Sequence, residues 1–314
     1  MKDNKHLNNP VILLNGISRS GKAITWYVVS SVRNIDVPLN EPFPDWILDA
    51  FNSNEITSNA VEVLLSNYFR IYAWYSFIGR GINLKKLDQS SFLKLSSKNE
   101  ISTRNERHDN SESWQEFSEL WSEGKFVPCF TTDLNRDLQD KLTKYDLNFI
   151  NINTIRNPKK VFLEWCLTNR GGRYDQLDRM GKYYFTFKNQ NIPGFAFDYK
   201  EEWYESSPEE RCYLTVSKYY DDFFNSDNKN EINIFFEDVI VDPLPEIKKV
   251  ANLFGFDIKD NYKEMFVLMN VPREFDDTNY TLDPENFFKK ISKEAFDNLC
   301  HLEERYNKFK SEQS

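Results

Sequence analysis

Between Gly16 and Ala23 the chain reads Gly-Ile-Ser-Arg-Ser-Gly-Lys-Ala, a stretch that concentrates turn residues, hydroxyls and two cations. Glycine lets a backbone approach an oxyanion closely, while Arg19 and Lys22 bring fixed positive charge. Four apolar residues, Val11 to Leu14, precede it and read as a short buried strand; apolar residues at helical spacing follow from Ile24 to Val32. Strand, glycine turn and helix in this order form a phosphate cradle, in which consecutive N–H groups and the helix N-terminus face one anion. The spacing of Gly16, Gly21 and Lys22 matches the Walker A pattern up to its last position, where Ala23 replaces the hydroxyl residue that ligates magnesium. Ser18, Arg19, Ser20, Gly21, Lys22 and Ala23 are the candidate anion-binding residues, with no metal ligand among them.

The elements that must position partners for this cradle are further strands. RNIDVPLNEPFPDW (33–46) reads as a second strand that ends in a loop at Glu41, with Pro42 and Pro44 stopping a helix. KFVPCFTTDL (125–134) reads as a third strand, closed by Asp133, which also suits the cap of a helix beginning LNRDLQDKL. LNFININTI (147–155) is a fourth, ending at Arg156, and Ile232 to Phe236 form a fifth. In open α/β sheets ligands gather at the carboxyl ends of the strands. Glu41 and Asp133 are thus candidate general bases and Arg156 a candidate phosphate ligand.

The 314 residues suffice for one large domain, and 40% hydrophobic content with 26 Phe and 16 Tyr supplies an aromatic-rich core. A net charge of −9 argues against a nucleic-acid or anionic-membrane surface, so an anionic ligand needs a local basic pocket. Four separated cysteines (Cys129, Cys166, Cys212, Cys300) without a CxxC pair read as reduced, buried thiols. Three histidines make a His-based zinc site an unsuitable reading. No apolar run reaches the length of a membrane span, and residues 1–10 lack a signal-peptide apolar region; the expected location is cytoplasmic.

Residues 57–78 carry apolar positions at helical spacing with Thr57 or Ser58 as cap, and SWQEFSELWSEG (113–124) predicts a shorter helix. Between them the polar stretch 85–112 reads as a long loop or inserted flap over the site. Pro158 suits the first turn of a helix VFLEWCLTNR, Pro193 and Gly194 interrupt the aromatic segment 181–205, and 212–225 and 292–309 predict helices. The aromatic segment fits either an acceptor pocket or ordinary core.

Three blocks stand in fixed order: Ser18-Arg19-Ser20-Gly21-Lys22, then IRNPKKVFLEW from Ile155, then FFEDVIVDPLPEIKKVANLFGF from Phe235. Together they resemble the sulfotransferase family, whose third block (Glu-Asp, Asp-Pro, helix, Phe-Gly) is matched at Glu237, Asp238, Asp242, Pro243, Leu253, Phe254 and Gly255. The resemblance implies an α/β three-layer sandwich around a central, mainly parallel five-stranded sheet with a P-loop-like phosphate cradle. It implies 3′-phosphoadenosine 5′-phosphosulfate (PAPS) as donor, a small-molecule or carbohydrate hydroxyl or amine as acceptor, and no metal. Ser18 to Ala23 would hold the 5′-phosphosulfate, with Arg19 at the bridging oxygen, and Arg156 the 3′-phosphate. Glu164 stands where the family has a serine against that 3′-phosphate, and Lys22-Ala23 where it has two threonines. Thr131-Thr132-Asp133 stands where cytosolic members carry a histidine base, which leaves Glu41 or Asp133 for that role. A P-loop ATP-dependent small-molecule kinase and a non-catalytic nucleotide-binding relative are the alternative readings.

Overall fold

Along Pro10–Asn15 (β1) the side chains alternate between two buried faces, so helices must cover both. The computed structural model describes residues 9–88, 91–110, 112–133, 147–173, 183–226, 231–274 and 285–313. The expected helix starting after Asp133 and the N-terminal residues 1–8 lie outside them. β1 is central in a parallel sheet with Cys129–Thr131 (β2), Asn148–Ile155 (β3) and Glu231–Phe235 (β6), in the order β2-β1-β3-β6. Tyr184–Phe187 (β4) and Gln190–Pro193 (β5) form a separate antiparallel hairpin.

The helices in chain order are Lys22–Ser30 (α1), Phe43–Asn52 (α2), Ser58–Phe77 (α3), Phe92–Leu95 (α4), Lys98–Asp109 (α5), Ser113–Ser122 (α6), Pro158–Leu167 (α7) and Arg170–Arg173 (α8). Lys200–Glu205 (α9), Pro208–Asn225 (α10), Phe236–Val241 (α11), Leu244–Phe254 (α12), Tyr262–Val267 (α13), Glu285–Phe288 (α14) and Lys293–Gln313 (α15) follow. Ile12, Leu14, Ile152 and Ile234 face one core with α1 and α12. Val11, Leu13, Phe130 and Phe149 face another with α3 and α6, and Ile155 and Phe235 join α7, α10 and α15 in a third. The result is a three-layer α/β arrangement, as expected. None of the described helices is long and apolar enough to cross a membrane.

The sheet has four continuous strands among the described residues, not five. The segment 33–46 touches β2's strand only through isolated parallel bridges, Ile35 to Val127 and Leu39 to Phe130. Asp36 N donates to Val127 O and Leu39 N to Cys129 O, but Pro38 between them has no N–H to give. The expected second strand is an edge interrupted at its proline.

The segment 85–112, read as a loop or flap, instead holds α4 and α5. Ser97 and Glu100 close a reciprocal capping box at the start of α5 (3.2 and 2.6 Å). Phe92 and Leu95 are buried in the α1 core. Arg104, 9% exposed, pairs with Asp36, 2% exposed, and donates to Ser76 O. One cation thus ties α5 to both the edge segment and the end of α3.

A polar row crosses the sheet near its carboxyl edge. Thr132 donates to Asn15, Asn15 reaches Asn153 at 3.5 Å, and Asn153 donates to Asn233 at 3.1 Å and Glu231 at 3.0 Å. Asn15 pairs with Asn153, and Asn153 with Asn233, in the strand register.

Replacing Arg104 with Met strands the Asp36 carboxylate in the core. We expect a loss of about 3–5 kcal/mol, read as a lower urea midpoint at unchanged slope; adding Asp36→Asn should recover part of it.

Candidate functional site

Each strand of the main sheet delivers site residues at its carboxyl end. The turn Gly16–Gly21 follows β1, Thr132 and Asp133 follow β2, Arg156 follows β3 and Phe236 follows β6. They meet in a cavity of about 540 Å³ lined by Ser18, Arg19, Gly21, Lys22, Ala23, Asp133, Arg156, Glu164, Arg170 and Phe236, among others.

The turn is shaped by left-handed backbone at Arg19 (φ 73°) and Gly21 (φ 102°). Ser20 N closes it onto Ile17 O at 3.0 Å, and α1 begins directly after Gly21. The N–H groups of Lys22 and Ala23 lie in the first turn of that helix, where no intrahelical acceptor exists for them. A non-glycine residue in the left-handed region is costly, and Arg19 is kept there from outside. Trp165 Nε1 donates to Ser18 O at 2.7 Å, and Arg156 Nη1 to Arg19 O at 3.1 Å. Phe236 packs directly against Gly21: a Cβ at 21 would overlap Cδ2 of its ring. Arg156 in turn lies over the same ring, 4.6 Å from its centroid.

Arg156 is itself fixed on every side. Tyr220 donates its hydroxyl to Arg156 O, and Glu237 accepts from Asn157 N at 3.1 Å and from Tyr306 at 2.6 Å. Asn157 caps α7, accepting from Lys159 N and Lys160 N, with Pro158 in the first turn as expected. The Glu237 of the third sequence block thus acts on the Arg156 junction. Glu164, which stands where the resemblance expects a serine, faces Arg156 at 3.5 Å.

Lys22 lines the cavity, yet its three donors are engaged by Gly16 O (2.6 Å), Thr132 O (3.0 Å) and the Asp133 carboxylate. Asp133 is therefore an ion-pair partner in the cradle. Ser20 is fully buried beneath the turn, its hydroxyl without a partner, and does not line the cavity. Glu41 is exposed and opens on a second cavity of about 230 Å³ with Ser76, Lys85, Asp88 and Phe92; Asn40 lines both cavities. The aromatic segment expected as an acceptor wall or as core packs as core: Ile192, Ala196 and Trp203 are buried with α10, and neither cavity is lined by it.

Two residues escaped the sequence reading. Phe236 had a signal only as part of the third block. Arg170 sits at the start of α8 and lines the cavity; its Nε, like that of Arg156, is buried with no hydrogen-bond partner among the described residues. Burial first, and then the Arg170 charge, draw the Arg19 guanidinium below its ordinary range; Glu164 opposes this, while Arg173 and Arg156 add to the lowering. Positive charge is in excess here, inside a protein of net charge −9.

No family model matches this chain, and no curated protein matches its sequence. Among solved structures, it is similar to the sulfotransferase domain of the olefin synthase of Synechococcus PCC 7002, at 10% identity and TM-score 0.42, covering 98% of both chains. A sulfotransferase of Mycobacterium tuberculosis H37Rv shows 12% identity and TM-score 0.35 over 90% of this chain and 76% of that one. A mouse sulfotransferase complexed with PAP shows 12% identity and TM-score 0.35 over 94% and 83%.

Gly21→Ala should destabilise the protein both by ring overlap and by the left-handed backbone. The double variant Gly21→Ala/Phe236→Ala removes the overlap and restores space, leaving a backbone penalty of about 1–2 kcal/mol at residue 21. Urea unfolding of the single variant, the double variant and Phe236→Ala separates the two contributions.

Proposed function

We propose that this chain is a sulfotransferase, moving a sulfuryl group from PAPS to a hydroxyl or amine of a small molecule. The observation that carries this reading is a helix-capped anion cradle flanked by Arg19 and Arg156 in which the metal-ligating hydroxyl is replaced by Ala23. A kinase built on this turn would lack the hydroxyl that holds its magnesium, and its lysine is already engaged by Asp133 and two carbonyls. Sulfuryl transfer asks instead for fixed donors where charge develops on the leaving oxygen, which the turn and Arg19 supply.

The buried, unpartnered Nε atoms of Arg156 and Arg170 suit a polyanionic donor. In the transfer the bond from sulfur to the bridging oxygen breaks as the bond to the acceptor oxygen or nitrogen forms, and the acceptor's proton passes to a carboxylate. We assign the acceptor to the cavity that shares Asn40 with the cradle and the base to Glu41 within it. Asp133, bound to Lys22, holds the turn against β2 and is a positioning residue.

Calorimetry with adenosine 3′,5′-bisphosphate should show binding by the unmutated protein and none by Arg156→Ala. Absence of binding by the unmutated protein overturns the donor assignment. Glu41→Gln should depress kcat for labelled sulfate transfer by roughly 10²–10⁴-fold while leaving bisphosphate affinity unchanged.

A further inference from the structure

Charge around the cavity is unbalanced in a way the three sequence blocks do not account for. Arg19, Arg156 and Arg170 line it, and Arg173, one turn beyond Arg170, acts on Arg19 as a further positive neighbour. Glu164 is the carboxylate set against them, since Asp133 is paired with Lys22. Among the described residues, the three guanidinium groups that line the cavity against one carboxylate leave two positive charges, and Arg173 adds a third nearby. A single phosphate carries at most about two negative charges, and the glycine turn with its helix N-terminus already provides for one such group.

Arg170 is built into this arrangement. It opens α8 immediately after α7, the helix that carries Glu164 and Trp165. Gly171 beside it is buried so tightly that a Cβ would overlap the Pro208 carbonyl, and its N–H donates to Cys212 Sγ at 3.3 Å. The start of α8 is thereby clamped to α10, while Arg170 Nε stays buried with no hydrogen-bond partner among the described residues. An unpaired buried guanidinium nitrogen is costly unless a ligand satisfies it.

Resting on the donor reading above, we infer that Arg170 is a specificity-determining residue. With Arg156, it holds the second, non-transferring phosphate of the donor, on the wall of the cavity that Glu164 shares with both arginines. Glu164 faces Arg156 at 3.5 Å and aligns it, and the guanidinium of Arg170 supplies further hydrogen-bond donors to that phosphate. The ligand class this selects is a nucleotide with two separated anionic groups, over one with the 5′ group alone.

The test compares adenosine 3′,5′-bisphosphate with adenosine 5′-phosphate by calorimetry on the full chain. The unmutated protein should prefer the bisphosphate. Arg170→Ala should lose roughly 10- to 100-fold of bisphosphate affinity, the range of one or two charge-assisted hydrogen bonds, while its affinity for the monophosphate stays within about twofold. Retained monophosphate binding certifies that the variant is folded, and Arg170→Lys should recover only part of the preference because it keeps charge without the planar fork. If Arg170→Ala keeps the preference, or loses both ligands equally, the assignment of Arg170 is overturned while the donor reading stands. If the unmutated protein binds neither nucleotide, the donor reading itself falls and takes this inference with it.

Discussion

The constraint on which this molecule depends is the left-handed backbone at Arg19, held by donors that reach it from the far side of β3. Trp165 grips the carbonyl before it and Arg156 its own carbonyl, so the turn after β1 is shaped by residues some 140 positions later. Arg156 is in turn seated by Tyr220 and, through Asn157, by Glu237 and Tyr306, three residues from the C-terminal half of the chain. Removing the grip would let Arg19 relax toward ordinary backbone and carry its guanidinium away from the cavity that it lines with Arg156 and Arg170. Preorganisation of this kind is what charge stabilisation in a transfer reaction requires.

Much of this was legible in the sequence because each signal was local. The apolar runs at 11–14 and 147–155, the glycines at 16 and 21, Pro158 after its Asn157 cap, and Gly255 at the end of α12 all declare themselves within a few residues. The failures were tertiary. Residues 33–46 alternate as a strand does, but Pro38 falls where the ladder needs a donor. The stretch 85–112 is polar enough to read as a loop, and its helices dock through distant partners: Phe92 and Leu95 in the α1 core, and the buried Arg104–Asp36 pair, 68 residues apart. Arg170 was hidden because an arginine at the end of a helical stretch reads as an ordinary complement to the helix dipole. Its significance appears only once Arg19 and Arg156 are placed beside it.

Lys22 illustrates how a motif residue can change partners without changing place. In the sequence it is the lysine of a nucleotide turn; in the structure it bridges Gly16, Thr132 and Asp133 across β1 and β2. The cradle's remaining guanidinium groups are Arg19 in the turn, Arg156 just after β3 and Arg170 at the start of α8, and the turn keeps a lysine that holds two loops together. Exchanging a flexible ammonium for planar guanidinium groups favours a ligand with several fixed oxygens.

The asparagine row across the sheet bears on how the chain finds its pairing at all. β1, β3 and β6 are short parallel strands whose aliphatic residues are nearly interchangeable, so shifted alignments would bury similar apolar area. Asn15, Asn153 and Asn233 are not interchangeable with their neighbours. Sliding β1 by one residue along β3 would set Asn15 against Ile152 or Thr154 in place of Asn153 and take that partner from a buried amide. Since the turn, Arg156 and Phe236 each leave the sheet within one residue of a strand's end, the same row that selects the alignment of the strands also determines whether the cradle's parts arrive at a common level.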